Sequence, residues 1–119
     1  MIIVDTSVWV DHFRSANGRL AVLASQVDLL QHPYVTGELA MGNLRGWRQV
    51  VDHLGRLPQA HPTSHMDMLD FVERHHLMGT GIGLVDAHLL SCAATFEHTL
   101  WTRDRRLAVQ AETAFHPGP

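Results

Sequence analysis

The chain is 119 residues long, 45% hydrophobic and 18% charged, with a formal net charge of −3. That is the composition of one ordinary domain, 1–119, with enough apolar mass to bury a core without cross-links. It excludes a protein that coats nucleic acid through bulk positive charge, and the single cysteine, Cys92, excludes an internal disulfide.

The predicted elements alternate along the chain. Ile2, Ile3 and Val4 form a short strand apolar on both faces, the pattern of a parallel sheet. Ser7 is placed to cap a helix from Val8 through Phe13, which Asn17-Gly18 breaks; Leu20, Val22 and Leu23 continue as a second helical stretch. Val27 to Leu30 reads as a second strand closed by His32-Pro33, and Val35 to Leu44 as a helix carrying Glu38 in its first turns. Val50, Val51, Leu54 and Leu57 make an amphipathic helix ahead of Pro58. A loop over 59–64 follows, and then Met66, Leu69, Phe71/Val72 and His76 fall at the spacing of a further helix. Gly79 to Gly83 is a turn-rich loop before a strongly apolar helix, Leu84 to Phe96. Thr99 to Thr102 reads as a third strand, Arg105 to Glu112 as a closing helix, and the tail AFHPGP as a short strand with a frayed end. Strands alternating with helices predict an α/β domain with a mainly parallel sheet. No stretch is long and apolar enough to span a bilayer, and Asp5 interrupts the only apolar start. Neither a membrane anchor nor a leader is expected, and the chain reads as cytoplasmic.

All nine basic residues are arginine. The absence of lysine excludes a Schiff-base enzyme and a P-loop nucleotide site. The ten histidines scatter. His61 and His65 are four apart and His75 and His76 adjacent, but no cysteine pair or His-Glu-x-x-His pattern accompanies them, so they read as surface or core side chains rather than zinc ligands. Cys92, within LLSCAAT, reads as a small core residue.

Four acids stand out by position. Sites in parallel sheets form at the carboxyl ends of the strands, and Asp5 and Asp104 (in WTRDRRL) each leave a strand there. Glu38 (in VTGELAMG) and Asp86 (in GIGLVDAHLL) lie near helix starts. Each alone reads equally well as a helix cap or a solvated charge. Together they would repel one another and raise each other's pKa. A hard divalent cation, Mg²⁺ or Mn²⁺, is the natural counter-charge for an oxygen-only set.

The segments MIIVDTSVWVD, TGELAMG, GIGLVDAHLL and LWTRDRRL, in this order and spacing, resemble the PIN-domain family and, within it, the VapC-type toxins of toxin–antitoxin pairs. The resemblance spans essentially the whole chain, although 45–78 contributes no diagnostic residue. It implies a three-layer α/β/α fold with a mainly parallel central sheet, a metal-dependent endoribonuclease, a homodimer and a cognate VapB-like antitoxin. Carried over position by position, the catalytic quartet is Asp5, Glu38, Asp86 and Asp104. Asp5 and Asp86 are the expected direct ligands of Mg²⁺ or Mn²⁺, with Asp104 direct or through water, and Glu38 orients the attacking water or binds a second ion. Ser7 and Thr102 are supporting hydroxyls. Arg103, Arg105 and Arg106 flank Asp104 and read either as guides for the RNA backbone or as a solvated helix start. The Asp5 carboxylate is expected to touch metal and little else, because Thr6 and Ser7 can supply the turn and cap. Leu20, Leu23 and the 84–96 helix are expected to pair two copies, and a groove around the first two helices to take the antitoxin. The alternative is a PIN-like domain that binds RNA or protein without turnover. A phospho-receiver module is excluded, since only one acid follows strand one and there is no lysine.

Overall fold

A computed structural model describes residues 1–15 and 28–114, with side chains described through Glu112. The order is β1 (Ile2–Val4), α1 (Thr6–Ser15), β2 (Leu29–Leu30), α2 (Pro33–Met41), α3 (Trp47–Leu54), α4 (His65–Arg74), α5 (Leu84–Thr95), β3 (Thr99–Trp101) and α6 (Arg105–Ala114). The three strands are parallel in the order β2-β1-β3, with Ile2 and Ile3 opposite Leu29 and Leu30, and Ile2 to Val4 opposite Thr99 to Trp101. Helices pack over this sheet in the α/β/α layering that the resemblance implies. The expected second helical stretch and the tail strand lie outside the described residues.

The centre is apolar in the way the runs require. Ile3 and Val4 of β1 are fully buried, and so are Leu89, Leu90, Cys92 and Ala93 of α5. Every residue from Ala87 to Ala93 is buried, which makes α5 a helix enclosed on all sides. Burial pushes the Cys92 thiol up to about 11, so it stays protonated and inert at neutral pH. No described helix is long and apolar enough to cross a membrane.

Two expectations need correction. First, α1 begins at Thr6, and its opening N–H groups, those of Val8 and Trp9, donate to the Asp5 carbonyl, so Ser7 lies inside the helix and not at its cap. Second, on α4 the buried side chains are Met68 and Phe71, whereas Met66 and Leu69 are exposed; the helix ends at Arg74, and His76 turns away at φ 53°. The 59–64 stretch is a loop, as expected, and it is tied down at both ends: Gln31 pairs with Gln59 as an isolated parallel bridge beside β2, and Thr63 Oγ1 meets Ser91 Oγ at 2.9 Å in the interior.

The expected pairing surface also changes. The middle of α5 is consumed by the core, so in the 84–96 stretch the exposed apolar residues are Leu84 at its start and Phe96 just past its end, and Leu20 and Leu23 lie outside the described residues.

His32 fixes the start of α2. Its Nδ1 accepts the Tyr34 N–H at 3.1 Å, and Pro33 occupies the first helical position, where no N–H is needed. The ring is fully buried, and desolvation, then the nearby His88, lower its pKa from 6.5 to about 4. The unfolded chain therefore binds a proton near pH 6.5 that the folded ring refuses until about 4. Stability is whole above the first value and declines as pH falls toward the second. Thermal unfolding as a function of pH should show that decline, and His32→Asn, which retains a capping acceptor, should flatten part of it whatever it costs at neutral pH.

Candidate functional site

Asp5 follows β1 directly, and its backbone N–H continues the ladder to the Trp101 carbonyl at 2.9 Å. The side chain is 4% exposed. A buried carboxylate is costly unless donors satisfy it, and here two do. Ser7 Oγ and Thr102 Oγ1 each donate to Oδ2 at 2.7 Å. Each hydroxyl has one proton, so their mutual 3.3 Å contact reflects a shared acceptor and not a third bond. The expectation that Asp5 touches metal and little else is therefore wrong for Oδ2, which ties α1 and the end of β3 to β1. Among the described residues Oδ1 accepts no hydrogen bond.

The same two hydroxyls accept in turn. Thr102 Oγ1 receives the Asp104 N–H at 3.0 Å, and Ser7 Oγ receives the Arg103 N–H at 2.9 Å. Asp104 is half-buried and caps α6, its Oδ1 taking the Arg106 N–H at 2.9 Å. Of the three flanking arginines, Arg103 reaches Asp11 on α1 at 3.4 Å and Arg106 lies 3.9 Å from Asp104 Oδ1, both as exposed pairs of small energetic weight. Arg105 is exposed. Gly81, at φ +88°, lies under the Arg106 side chain, where a Cβ would stand 3.2 Å from Nη1. Its left-handed turn and its missing side chain both serve that contact.

Glu38 sits in the second turn of α2, exposed, with Oε1 accepting the Thr6 hydroxyl at 2.6 Å. In the sequence Thr6 has only a turn-and-cap role beside Ser7, and its bond to Glu38 carried no signal across 32 residues. Asp86 occupies the third position of α5, with Oδ2 receiving the Gly83 N–H at a long 3.4 Å. Burial raises its pKa above the usual carboxylate range; the Gly83 N–H opposes the rise, and the charges of Asp5, Glu38 and Asp104 add to it. That repulsion places Asp5, Glu38 and Asp104 each within electrostatic reach of Asp86.

Among the described residues no three His, Cys, Asp or Glu side chains close on one point as a metal cage. The donor chemistry still fits a hydrated hard cation. Mg²⁺ keeps several of its waters and uses one or two direct carboxylates, and the set consists of carboxylates with hydroxyls behind them.

Two outcomes follow from this geometry. Thr102→Val keeps the shape but deprives Asp5 of a donor and the Asp104 N–H of its acceptor; denaturant unfolding should show a loss of about 1–3 kcal/mol. Asp86→Asn should do the reverse. A carboxyl whose folded pKa lies above the unfolded 3.8 destabilises the fold at neutral pH and ceases to do so in acid. The variant should therefore melt higher than the parent at pH 7, and the difference should vanish as pH falls below 3.8, checked by scanning calorimetry.

No protein-family model matches the chain. It is, however, 44% identical over 108 residues to the ribonuclease VapC32 of Mycobacterium tuberculosis, in strains CDC 1551 and H37Rv alike, an alignment that covers 90% of this chain and 87% of the relative. Identity at that level along nearly the whole length, on a parallel α/β/α scaffold, makes this chain a member of the VapC family of PIN-domain toxins.

Proposed function

We propose that the chain is a metal-dependent endoribonuclease, a single PIN-like domain acting in the cytoplasm as the toxin of a VapBC-type pair. The observation that carries this reading is the electrostatic coupling of Asp86 to Asp5, Glu38 and Asp104. Acids coupled to one another without lysine need a cation, and the chain's relative VapC32 is named a ribonuclease. Mg²⁺ or Mn²⁺, when bound, supplies a Lewis acid and the positive charge that lets RNA phosphate approach an acidic pocket.

The chain's own residues do the rest. Asp5, its Oδ2 immobilised by Ser7 and Thr102, presents Oδ1 as a preoriented ligand. Asp86 and Asp104 hold the same ion, directly or through its waters. Glu38, with Oε1 fixed by Thr6, orients the attacking water through Oε2. Arg105 and Arg106, beside Asp104, guide the RNA backbone by paired N–H contacts to phosphate. The partners are an RNA substrate and a VapB-like antitoxin. Pairing of two copies falls on exposed Leu69, Met78 and Leu84, which line one shallow depression, instead of on the middle of α5.

The decisive experiment is RNA cleavage by the purified protein with Mg²⁺ or Mn²⁺, with EDTA, and with Asp5→Asn. The asparagine keeps an acceptor for Ser7 and Thr102 but puts an amide where Oδ1 was, so the fold should persist. Cleavage should stop in EDTA and fall in the variant by more than the roughly 10–100-fold that loss of an outer partner of a metal ligand costs. Cleavage undiminished in EDTA would refute the metal assignment. RNA bound but never cut would favour the binding-only alternative.

A further inference from the structure

On α6, Arg105 and Val109 stand four apart, as do Arg106 and Gln110, so one face of the first two turns carries two cations, an apolar side chain and an amide. With Thr80, from the loop before α5, they line a pocket of about 300 Å³. Arg106 is held from two sides. Its Nε lies 3.9 Å from Asp104 Oδ1, and its side chain rests on Gly81, where a Cβ would stand 3.2 Å from Nη1 and 3.4 Å from Cδ. Gly81 sits at φ +88°, so a side chain there would be strained as well as crowded. The other polar groups are unspent. Arg105 is exposed and has no ion pair among the described residues. Gln110 is half-buried, and its side-chain amide makes no hydrogen bond among them. Thr80 donates its hydroxyl proton to the Leu77 carbonyl at 2.6 Å, so toward the pocket it can only accept.

We infer that this pocket is the subsite for the ribonucleotide next to the scissile bond, with its phosphate on the Arg106 fork, its sugar against Val109, and the hydrogen-bonding groups of sugar or base on Gln110 and Thr80. Arg105 adds positive charge at the rim. The inference rests on the quartet being the cleavage centre and adds the register of the strand on it. Asp104 is one corner of the quartet, and Arg106 begins beside it. A divalent cation at the quartet draws the scissile phosphate. The neighbouring phosphate of the same strand then needs a counter-charge beside the acids and not among them, and Arg106 stands in that place. Guanidinium and phosphate match in geometry, two N–H groups to two oxygens. Because Asp104 and Gly81 confine the Arg106 side chain beforehand, little of its freedom is lost on binding. The carboxylates of an acidic peptide could also meet two arginines. RNA is favoured because a strand cut at the quartet has to leave past one side of Asp104, whereas the groove expected for the antitoxin lies around the first two helices and not on α6. An acceptor-only hydroxyl beside the cations further suits a ribose, whose 2′-OH can donate.

The test measures binding apart from turnover. The probe is a fluorescent eight-nucleotide single-stranded RNA in which the unsubstituted protein cuts one mapped bond. It is titrated, with Mg²⁺, against an Asp86→Asn background and against Arg106→Gln, Gln110→Leu and Gly81→Ala made in that background. Arg106→Gln should bind about tenfold more weakly, and its plot of log affinity against log salt should be shallower by about 0.7, the equivalent of one single-strand phosphate contact. Gln110→Leu should weaken binding about threefold with the slope unchanged. Gly81→Ala should weaken it as well, but not when Arg106→Gln is already present, whereas its effect on melting temperature should be the same in both. Octamers with an uncharged methylphosphonate on either side of the cut bond fix the register. On one side that change should cost the background protein about tenfold and the Arg106→Gln protein nothing further. Equal affinity and slope for all variants overturns the subsite, and so does a neutral linkage that costs both proteins the same on either side. Loss of antitoxin binding in Arg106→Gln with RNA affinity intact gives the pocket to a peptide and overturns it too. If the unsubstituted protein cuts no RNA, the ribonuclease reading fails and the subsite with it; if it cuts RNA and Arg106→Gln changes neither affinity nor slope, only the subsite fails.

Discussion

Ser7 and Thr102, 95 residues apart, both donate to one oxygen of Asp5. Burying that carboxylate without donors would cost several kcal/mol in an apolar interior, on the order of the penalty for an unpaired polar group or more. With two donors it becomes a fastening. It joins α1, β1 and the end of β3 at the point where the sheet gives way to loops. Because each hydroxyl also accepts a backbone N–H, from Arg103 and Asp104, the path of the chain into α6 is set by the same contact. The positions of two of the four acids thus follow from one buried oxygen.

Holding the acids together works against the fold. Asp86 lies at the first turn of α5, where the helix dipole favours a negative charge by some tenths of a kcal/mol, and its single backbone donor is distant. Burial and three neighbouring carboxylates push the other way and raise its pKa. The half-buried acid is retained against its own electrostatics, and the buried run from Ala87 to Ala93 behind it is what anchors it. A bound cation would remove the repulsion, so ion binding and stability are linked in this fold.

The elements that were legible in the sequence were those with one dominant signal. Ile2 to Val4 had no polar residue to confuse it, and Leu84 to Phe96 had one charge in an otherwise apolar run. On α4 the apolar residues at 66, 68, 69, 71 and 72 fill two faces, so spacing alone allowed two helix orientations, and packing against α5 chose Met68 and Phe71. The Gln31–Gln59 bridge was illegible because a single polar pair at a sheet edge has no periodicity. The start of α1 was misplaced because Asp5, Thr6 and Ser7 can all cap a helix.

For the four acids, a structural role does not compete with the functional one proposed for them. Asp104 is a helix cap, as its sequence context suggested, and Asp5, Glu38 and Asp86 each hold a local hydrogen bond of their own. In every case one carboxylate oxygen is engaged: Oδ2 of Asp5, Oε1 of Glu38, Oδ2 of Asp86 and Oδ1 of Asp104. The second oxygen of each accepts no hydrogen bond among the described residues. A carboxylate held by one oxygen has lost most of its rotational freedom, so the other oxygen is aimed before any ligand arrives. The protein's donors are neutral N–H and O–H groups, with the single exposed Arg106 guanidinium near Asp104, so they orient the acids without discharging them. Four such acids leave an uncompensated negative centre built from pre-aimed oxygens, and the same hydrogen bonds that build the local fold decide which oxygens those are.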